Sequence, residues 1–273
     1  VENASTDGSL ALCHKLAQTD DRIKVIHLDK GDLSYARNSG IKVASSDYVA
    51  FVDSDDTVLP NMYETLYTLA TENDLDLLYC NHVKIYENRP PKYLLSEDGE
   101  IHIMTPKEML AMNFTGRIDA IACSMLARKS LFDKLQFPEG MYFEDRAFTF
   151  MLIDASRKVG YIRKAFYNYY QRKGSICHSM DWKRYYDFAE ADTRRLRYIR
   201  ESGLFTEEEK KVLAEKSADS IIRRLRHLNM EAKTNIQKEL SREMTKNMAL
   251  IPEGCRLPLK ARIFRRLIET FYM

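Results

Sequence analysis

The sequence predicts an α/β fold, with a mostly parallel central sheet, flanking helices and a C-terminal helical region. Three observations predict it. Short apolar runs of strand length alternate with helix-period segments through the first half of the chain. One such run, Tyr48 to Val52, ends abruptly in Asp53, Asp55 and Asp56, and open α/β sheets place their ligands at the C-terminal ends of buried strands. From Trp182 onward the pattern turns helical and basic: residues 182–273 hold 21 Lys and Arg against 14 Asp and Glu. With a net charge of +2 over 273 residues, this leaves the first 181 residues acidic.

The elements follow in order. Thr6 or Asp7 can cap a helix running to about Thr19. Arg22 to Leu28 alternates and reads as a strand. Gly31 opens a turn into a helix that ends near Ala44. The central strand spans 48–53. Pro60, at a first helical position, starts a helix to about Glu72. Asp76 to Ile85 is a further strand, and 87–104 reads as irregular. Thr105-Pro106 caps a short helix, and Ala120 to Ala127 reads as a strand followed by a helical turn. Phe137 to Gly140 forms a loop that delivers Glu144 and Asp145. A helix follows, because Phe148, Met151, Leu152 and Ala155 fall at helical spacing. Val159 to Arg172 reads as two short strands. The helical pattern from Trp182 to about Met248 breaks near Gly203 and around Asn229, and Leu257 to Met273 is a short basic amphipathic helix.

Composition excludes several classes. Cys13, Cys80, Cys123, Cys177 and Cys255 are odd in number and lack metal-ligand or disulfide-framework spacing, which suits a reducing cytosol. No apolar run reaches the ~18 residues that span a bilayer. The basic tail lacks the basic–aromatic interleaving of a nucleic-acid surface, so no nucleic-acid partner is expected. Its last helix, with Lys260, Arg262, Arg265 and Arg266 beside Ile263, Phe264, Leu267, Ile268 and Phe271, could rest on an anionic membrane surface. Packing on the domain or an oligomer contact is the alternative.

Asp53-x-Asp55 aims two carboxylates at one spot, which suits Mn²⁺ or Mg²⁺; an Asp-rich turn is the plain alternative. The order Val1-Glu-Asn-Ala-Ser-Thr-Asp-Gly-Ser9, Ser34-x-Ala-Arg37-Asn38-x-Gly40, Phe51-Val-Asp-Ser-Asp-Asp56 and Glu144-Asp145 resembles a family 2 glycosyltransferase of bacterial cell-surface polysaccharide type. The resemblance covers roughly residues 1–180. It implies a GT-A-like nucleotide-sugar-binding and catalytic domain over 1–180, with 181–273 as a helical region ending in the basic tail. It also implies a strand and helix ahead of Val1.

On the same resemblance, Glu2 and Asn3 would hold the uracil and ribose, although the commoner family pair is Asp-Asp. Arg37 would lie near the nucleotide, where its guanidinium can meet phosphate oxygens; a surface helix Arg is the alternative. Asp53 would lie near ribose and metal, and Asp55 would bind the metal bridging the diphosphate of a UDP-sugar. Asp56 would cap the turn. Asp145 would be the general base of an inverting transfer to a glycan or lipid-linked acceptor, with Glu144 orienting it. Arg172, Lys173 or His178 could close over the diphosphate, and Tyr142 or Trp182 could stack on an acceptor sugar. The implied location is cytoplasmic, with peripheral contact at the inner face of the membrane. A haloacid-dehalogenase phosphatase using Asp53 and Asp55, and a non-catalytic interaction module, are the rival readings.

Overall fold

A computed structural model describes residues 1–93, 96–119, 121–172 and 180–272. In chain order the elements are β1 (Glu2–Asn3), α1 (Ser9–Ala17), β2 (His27–Leu28), α2 (Leu33–Val43), β3 (Tyr48–Ala50), β4 (Thr57–Val58) and α3 (Met62–Glu72). There follow β5 (Leu77–Tyr86), β6 (Lys92–Tyr93), β7 (Ile101–Met104), α4 (Pro106–Thr115), β8 (Met125–Arg128), α5 (Glu144–Ala155) and β9 (Val159–Gln171). The C-terminal helices are α6 (Trp182–Glu201), α7 (Glu207–Glu231), α8 (Asn235–Lys246) and α9 (Leu259–Tyr272).

The α/β class holds, but the sheet is mixed rather than mostly parallel. Its order is β3-β8-β5-β9-β4, with β6 on β5 and β7 on β9. Only β5 and β9 pair in parallel there; β1 and β2 form a separate parallel pair. Three strands that follow a helix, β3, β5 and β9, run the same way, because β3 and β5 are both antiparallel to β8 and β9 is parallel to β5. β4, β6 and β7 arrive by short connections, which antiparallel pairing permits, whereas β8 follows α4 and still runs antiparallel to β3 and β5. A strand–helix alternation predicts the common direction of β3, β5 and β9, and fails for β8, which follows a helix and runs against them.

Other boundaries move for physical reasons. Of Arg22 to Leu28 only His27–Leu28 pairs, since its partner β1 is itself two residues long. The stretch 87–104 carries β6 and β7. Only Met125–Arg128 of the strand expected from Ala120 is extended, after a 3₁₀ turn at Ala122–Ser124; Ala120 lies outside the described residues. The two strands expected over 159–172 are one. Its pairing with β5 jumps from Cys80↔Ile162 to Asn81↔Ala165, so Arg163 and Lys164 bulge out. Asp98 (2.7 Å) and the 96–100 loop hold Arg163 there. The helix break expected near Asn229 falls beyond Glu231, because the Asn229 side chain donates back to the Leu225 carbonyl (2.9 Å) and lets α7 continue.

β5 shows why the sheet is buried on both faces. Leu77 and Tyr79 pack into one layer with Met109, Leu110 and Phe114 of α4 and Phe148, Leu152 and Ile153 of α5. Leu78 and Cys80 point into the other, with Met62, Leu66 and Ala70 of α3. Ile199, Phe205 and Leu213 from the helical region join the first layer. A further cluster unites α6 to α9 through Leu196, Ile221, Leu225, Leu228, Met244 and Ala261.

Capping agrees with the start expected at Thr105-Pro106, whereas α1 begins after Gly8 and α3 at Met62, neither with a side-chain cap. Thr105–Glu108, Thr206–Glu209 and Thr234–Gln237 form capping boxes. Asp76 (4% exposed) locks the entry to β5. It accepts from the Arg157 amide (2.7 Å), the Arg157 guanidinium (3.0 Å) and Arg128 Nε (3.0 Å). Asp76→Ala should lower stability by about 2–3 kcal/mol, since it strands charge-assisted donors at the sheet end; urea unfolding followed by circular dichroism checks this.

Candidate active site

β3 ends at Ala50, and the chain turns at once: the Asp56 amide donates to the Asp53 carbonyl (3.1 Å). Asp56 does not cap a following turn. It anchors this turn to β9, accepting from the Tyr167 hydroxyl (2.7 Å) and the Tyr170 amide (2.8 Å). Burial pushes the Asp56 carboxyl above its ordinary range. The Asp53 amide in turn donates to the Tyr167 hydroxyl oxygen (3.3 Å). Asp55 turns outward, and Arg172 reaches both its carbonyl (2.6 Å) and its carboxylate (3.3 Å). Lys173 to Ser179, and with them His178, lie outside the described residues.

Arg37 stands at the centre. α2 begins at a β-region Asp32, whose side chain accepts from the Tyr35 amide (2.9 Å). One turn on, Arg37 enters the interior, only 7% exposed. Its Nη1 donates to Glu144 and its Nη2 reaches Asp53 (3.4 Å). Phe137 and Phe51 lie under the guanidinium at 5.4 and 5.9 Å. The two protein carboxylates therefore occupy the edges that a phosphate would meet. Burial works against the charge, yet Glu144 and Asp53 hold the group firmly protonated.

Glu144 and Asp145 form the first turn of α5, where the helix dipole favours acids. Phe143 precedes them at φ 60°, ψ 36°. This left-handed backbone costs a residue with a Cβ about 1–3 kcal/mol and persists only when its surroundings enforce it. Asp145 accepts from the Arg146 amide (2.7 Å). Burial, and next the Glu144 charge, push its carboxyl up to about 7, against the opposing pull of Arg37.

The loop before α5 is sewn to α2. Asn38 and Phe137 exchange two bonds: the Phe137 amide to Asn38 Oδ1 (3.0 Å) and Asn38 Nδ2 to the Phe137 carbonyl (2.9 Å). The Gly140 amide donates to Asp32 Oδ2 (2.7 Å), with Gly140 itself at φ 75°. The Asp32 amide donates to Asn3 Oδ1 (2.9 Å). Glu2 (4% exposed) accepts from the Ser5 amide (2.6 Å) and meets His27 Nδ1 (2.5 Å). The Ser5 bond first, and His27 after it, draw its carboxyl down to about 2. Asp32 thus links the Glu2–Asn3 end to the Glu144–Asp145 end. Sequence reading missed it, although an Asp before an apolar-periodic run is an N-cap signal.

Arg37, Asp53 and Glu144 are in contact, with Asp145 beside them; Glu2 and Asn3 join through Asp32; Asp55 stands apart with Arg172. Trp182 is not presented to this site: it stacks on Tyr186 (5.3 Å) and donates to the Leu228 carbonyl (3.2 Å). The Tyr142 ring, two residues before Glu144, lies under Arg184 at 4.8 Å. Asp53 and Asp55 are oxygen donors of partial exposure (35% and 52%). Carboxylates outnumber arginines around them. That donor set and charge fit a hard divalent cation. Among the described residues, the one three-member group of His, Cys, Asp or Glu side chains at metal-ligand spacing is elsewhere, at Asp98, Glu100 and His102.

The family model Glycosyl transferase family 2 matches residues 1–136. Glycosyltransferase GlyG of Streptococcus pneumoniae serotype 4 is 30% identical over 207 residues, covering 72% of this chain and 68% of that protein. The cholesterol galactosyltransferase of Borreliella burgdorferi is 30% identical over 193 residues, covering 66% of this chain and 53% of that protein. The chain thus spans about two thirds of one curated relative and about half of the other. Among solved structures, Staphylococcus aureus TarS in complex with UDP-GlcNAc superposes with a TM-score of 0.70 at 20% identity, covering 92% of this chain and 71% of that one. That likeness extends the shared fold beyond the family match into the C-terminal helices. The strand-end Asp53-x-Asp55 accordingly sits in a glycosyltransferase framework rather than a phosphatase one. The chain belongs to the family 2 glycosyltransferases.

Proposed function

We propose that this chain is a metal-dependent, inverting transferase that moves a sugar from a UDP-sugar to a hydroxyl of a surface glycan or lipid-linked acceptor. The observation that carries the reading is Arg37. It joins Asp53, from the end of β3, to Glu144, from the start of α5, and so sets the strand-end acids beside a carboxyl poised near neutrality. The UDP-GlcNAc in the TarS complex supports a UDP-linked donor.

In this reading the 1–180 unit binds the donor and does the chemistry. Glu2 and Asn3 border the base and ribose, Asp53 lies by the ribose, and Asp53 and Asp55 hold Mn²⁺ or Mg²⁺ at the diphosphate. When bound, the cation supplies charge neutralisation for the leaving UDP. Arg37 sets the angle between Asp53 and Glu144 rather than grasping phosphate itself. Asp145 accepts the proton of the acceptor hydroxyl as that oxygen bonds to the anomeric carbon. The bond to the diphosphate breaks on the opposite face, so one displacement inverts the configuration. Glu144, fixed by Arg37, keeps the neighbouring carboxyl basic by its charge.

The acceptor side includes a surface on α9. Leu259, Ile263 and Leu267 are 64%, 49% and 46% exposed, one helical turn apart. Lys260, Arg262 and Arg266 accompany them, while Ala261 and Phe264 pack inward. Among the described residues no helix is long and apolar enough to cross a membrane. An anionic bilayer fits this stripe, and it would place the enzyme at the inner face of the membrane, beside a lipid-linked acceptor.

Calorimetric titration of UDP should show Mn²⁺-dependent binding that Asp55→Ala abolishes; metal-independent binding of equal strength in both proteins would sink the metal reading. Asp145→Asn should retain UDP binding and lose turnover by about 10²–10⁴-fold, the range a general base contributes. Because the base must be ionised, kcat/KM should fall below about pH 7, far above an ordinary Asp limb. The same shift has a stability sign. A carboxyl raised from 3.8 to about 7 on folding costs stability as pH climbs through that window. Asp145→Asn should therefore melt higher than the wild type at pH 8, with the difference gone by pH 3. Co-sedimentation should show binding to phosphatidylglycerol vesicles and not to phosphatidylcholine vesicles, lost in an Ile263→Glu, Leu267→Glu double variant.

A further inference from the structure

The two halves of the site are held by different elements. β9 fixes the strand-end turn through Tyr167 and Tyr170 on Asp56, and Arg172, just past its end, holds Asp55. The α5 side, already bonded to α2 through Asn38, Asp32 and Arg37, has a second hold from α6. Three residues flank the acidic pair, and each meets its own α6 side chain. The Tyr142 amide donates to Asp187 Oδ2 (2.9 Å). The Phe143 ring packs on Phe188 at 4.6 Å. The Arg146 guanidinium donates twice to Asp192 Oδ1 (2.8 and 2.5 Å).

Asp187 does the least explicable work for a mere helix residue. It is 2% exposed, and a buried carboxylate is costly unless its oxygens are partnered. Its partners are the Tyr142 amide, outside any helix or strand, and Lys183 Nζ (2.6 and 2.5 Å). Lys183 also donates to the Gly140 carbonyl (3.0 Å). Together they grip the peptides on either side of Met141, just ahead of the left-handed Phe143. With the Tyr142 amide released, 141–143 can relax, and the first turn of α5 rotates with them.

We propose that Asp187 is a positioning residue: with Lys183 it holds the Gly140–Phe143 segment so that Asp145 faces the acceptor hydroxyl. The inference rests on Asp145 being the base. It assigns part of the helical region to the chemistry. It also predicts that the aim of Asp145 and the affinity for UDP separate, because α6 holds only the α5 side.

The test uses the full chain. Hydrogen exchange should show the Tyr142 amide exchanging at least about tenfold faster in Asp187→Ala, with β5 amides unchanged. In UDP release from UDP-GlcNAc or UDP-glucose, Asp187→Ala should lower kcat about 10- to 100-fold while calorimetric UDP affinity stays within about threefold. Asp187→Asn, which keeps an acceptor for Tyr142, should recover part of kcat, and Lys183→Ala, at a half-exposed site, should give a smaller loss. Asp145→Asn is the benchmark. If it is inactive while Asp187→Ala and Lys183→Ala turn over normally with a protected Tyr142 amide, the positioning role is overturned and the base stands. If Asp145→Asn keeps full turnover, the base reading fails and takes this inference with it. A parallel loss of UDP affinity and kcat would overturn it as well. Should Asp187→Ala not fold, Asp187→Asn and Lys183→Ala decide on the same readouts.

Discussion

A buried guanidinium sets the terms for the rest of this structure. Arg37 is nearly excluded from water, and a buried charge is tolerated only when its donors are met. Glu144 and Asp53 meet them, from segments 107 and 16 residues away in sequence respectively. The strand that delivers Asp53 and the helix that delivers Glu144 must therefore arrive together. Much of the nearby polar bonding serves that meeting. Asn38 holds Phe137 under the guanidinium, Asp32 holds Gly140, and Tyr167 with Asp56 shapes the turn that carries Asp53.

The same demand accounts for the strained and buried features beside it. Glu144 can reach Arg37 only from the first turn of α5, and Phe143 takes a left-handed conformation to start the helix there. Such a residue needs support from outside its own loop. α6 supplies it through side chains that are themselves charged and buried, Asp187 and Asp192 among them. The helical region is thus not an independent layer. It shares apolar core with the sheet through Ile199, Phe205 and Leu213, and polar contacts with the site.

The sequence by itself determined the α/β class, several helix starts and a set of candidate site residues. Local physics settles these. Apolar period separates strand from helix, Thr105, Thr206 and Thr234 fit their capping boxes, and the strand-end acids after Phe51 announce a ligand-facing turn. Arg37, Asp53, Glu144 and Asp145 were all legible as candidates, because their motifs stand in order along the chain. Tertiary structure alone decided how they meet. It turned Arg37 inward as a strut, sent Asp55 outward to Arg172 and gave Asp56 to β9. It also set strand direction: β8 follows α4 yet enters between β3 and β5 antiparallel to both, and no periodicity records that. Asp187 was invisible for a similar reason. Within its helix it is one more acid on a charged segment, and its role exists only because the Tyr142 amide, far away in sequence, lies against it with no strand or helix of its own to bond.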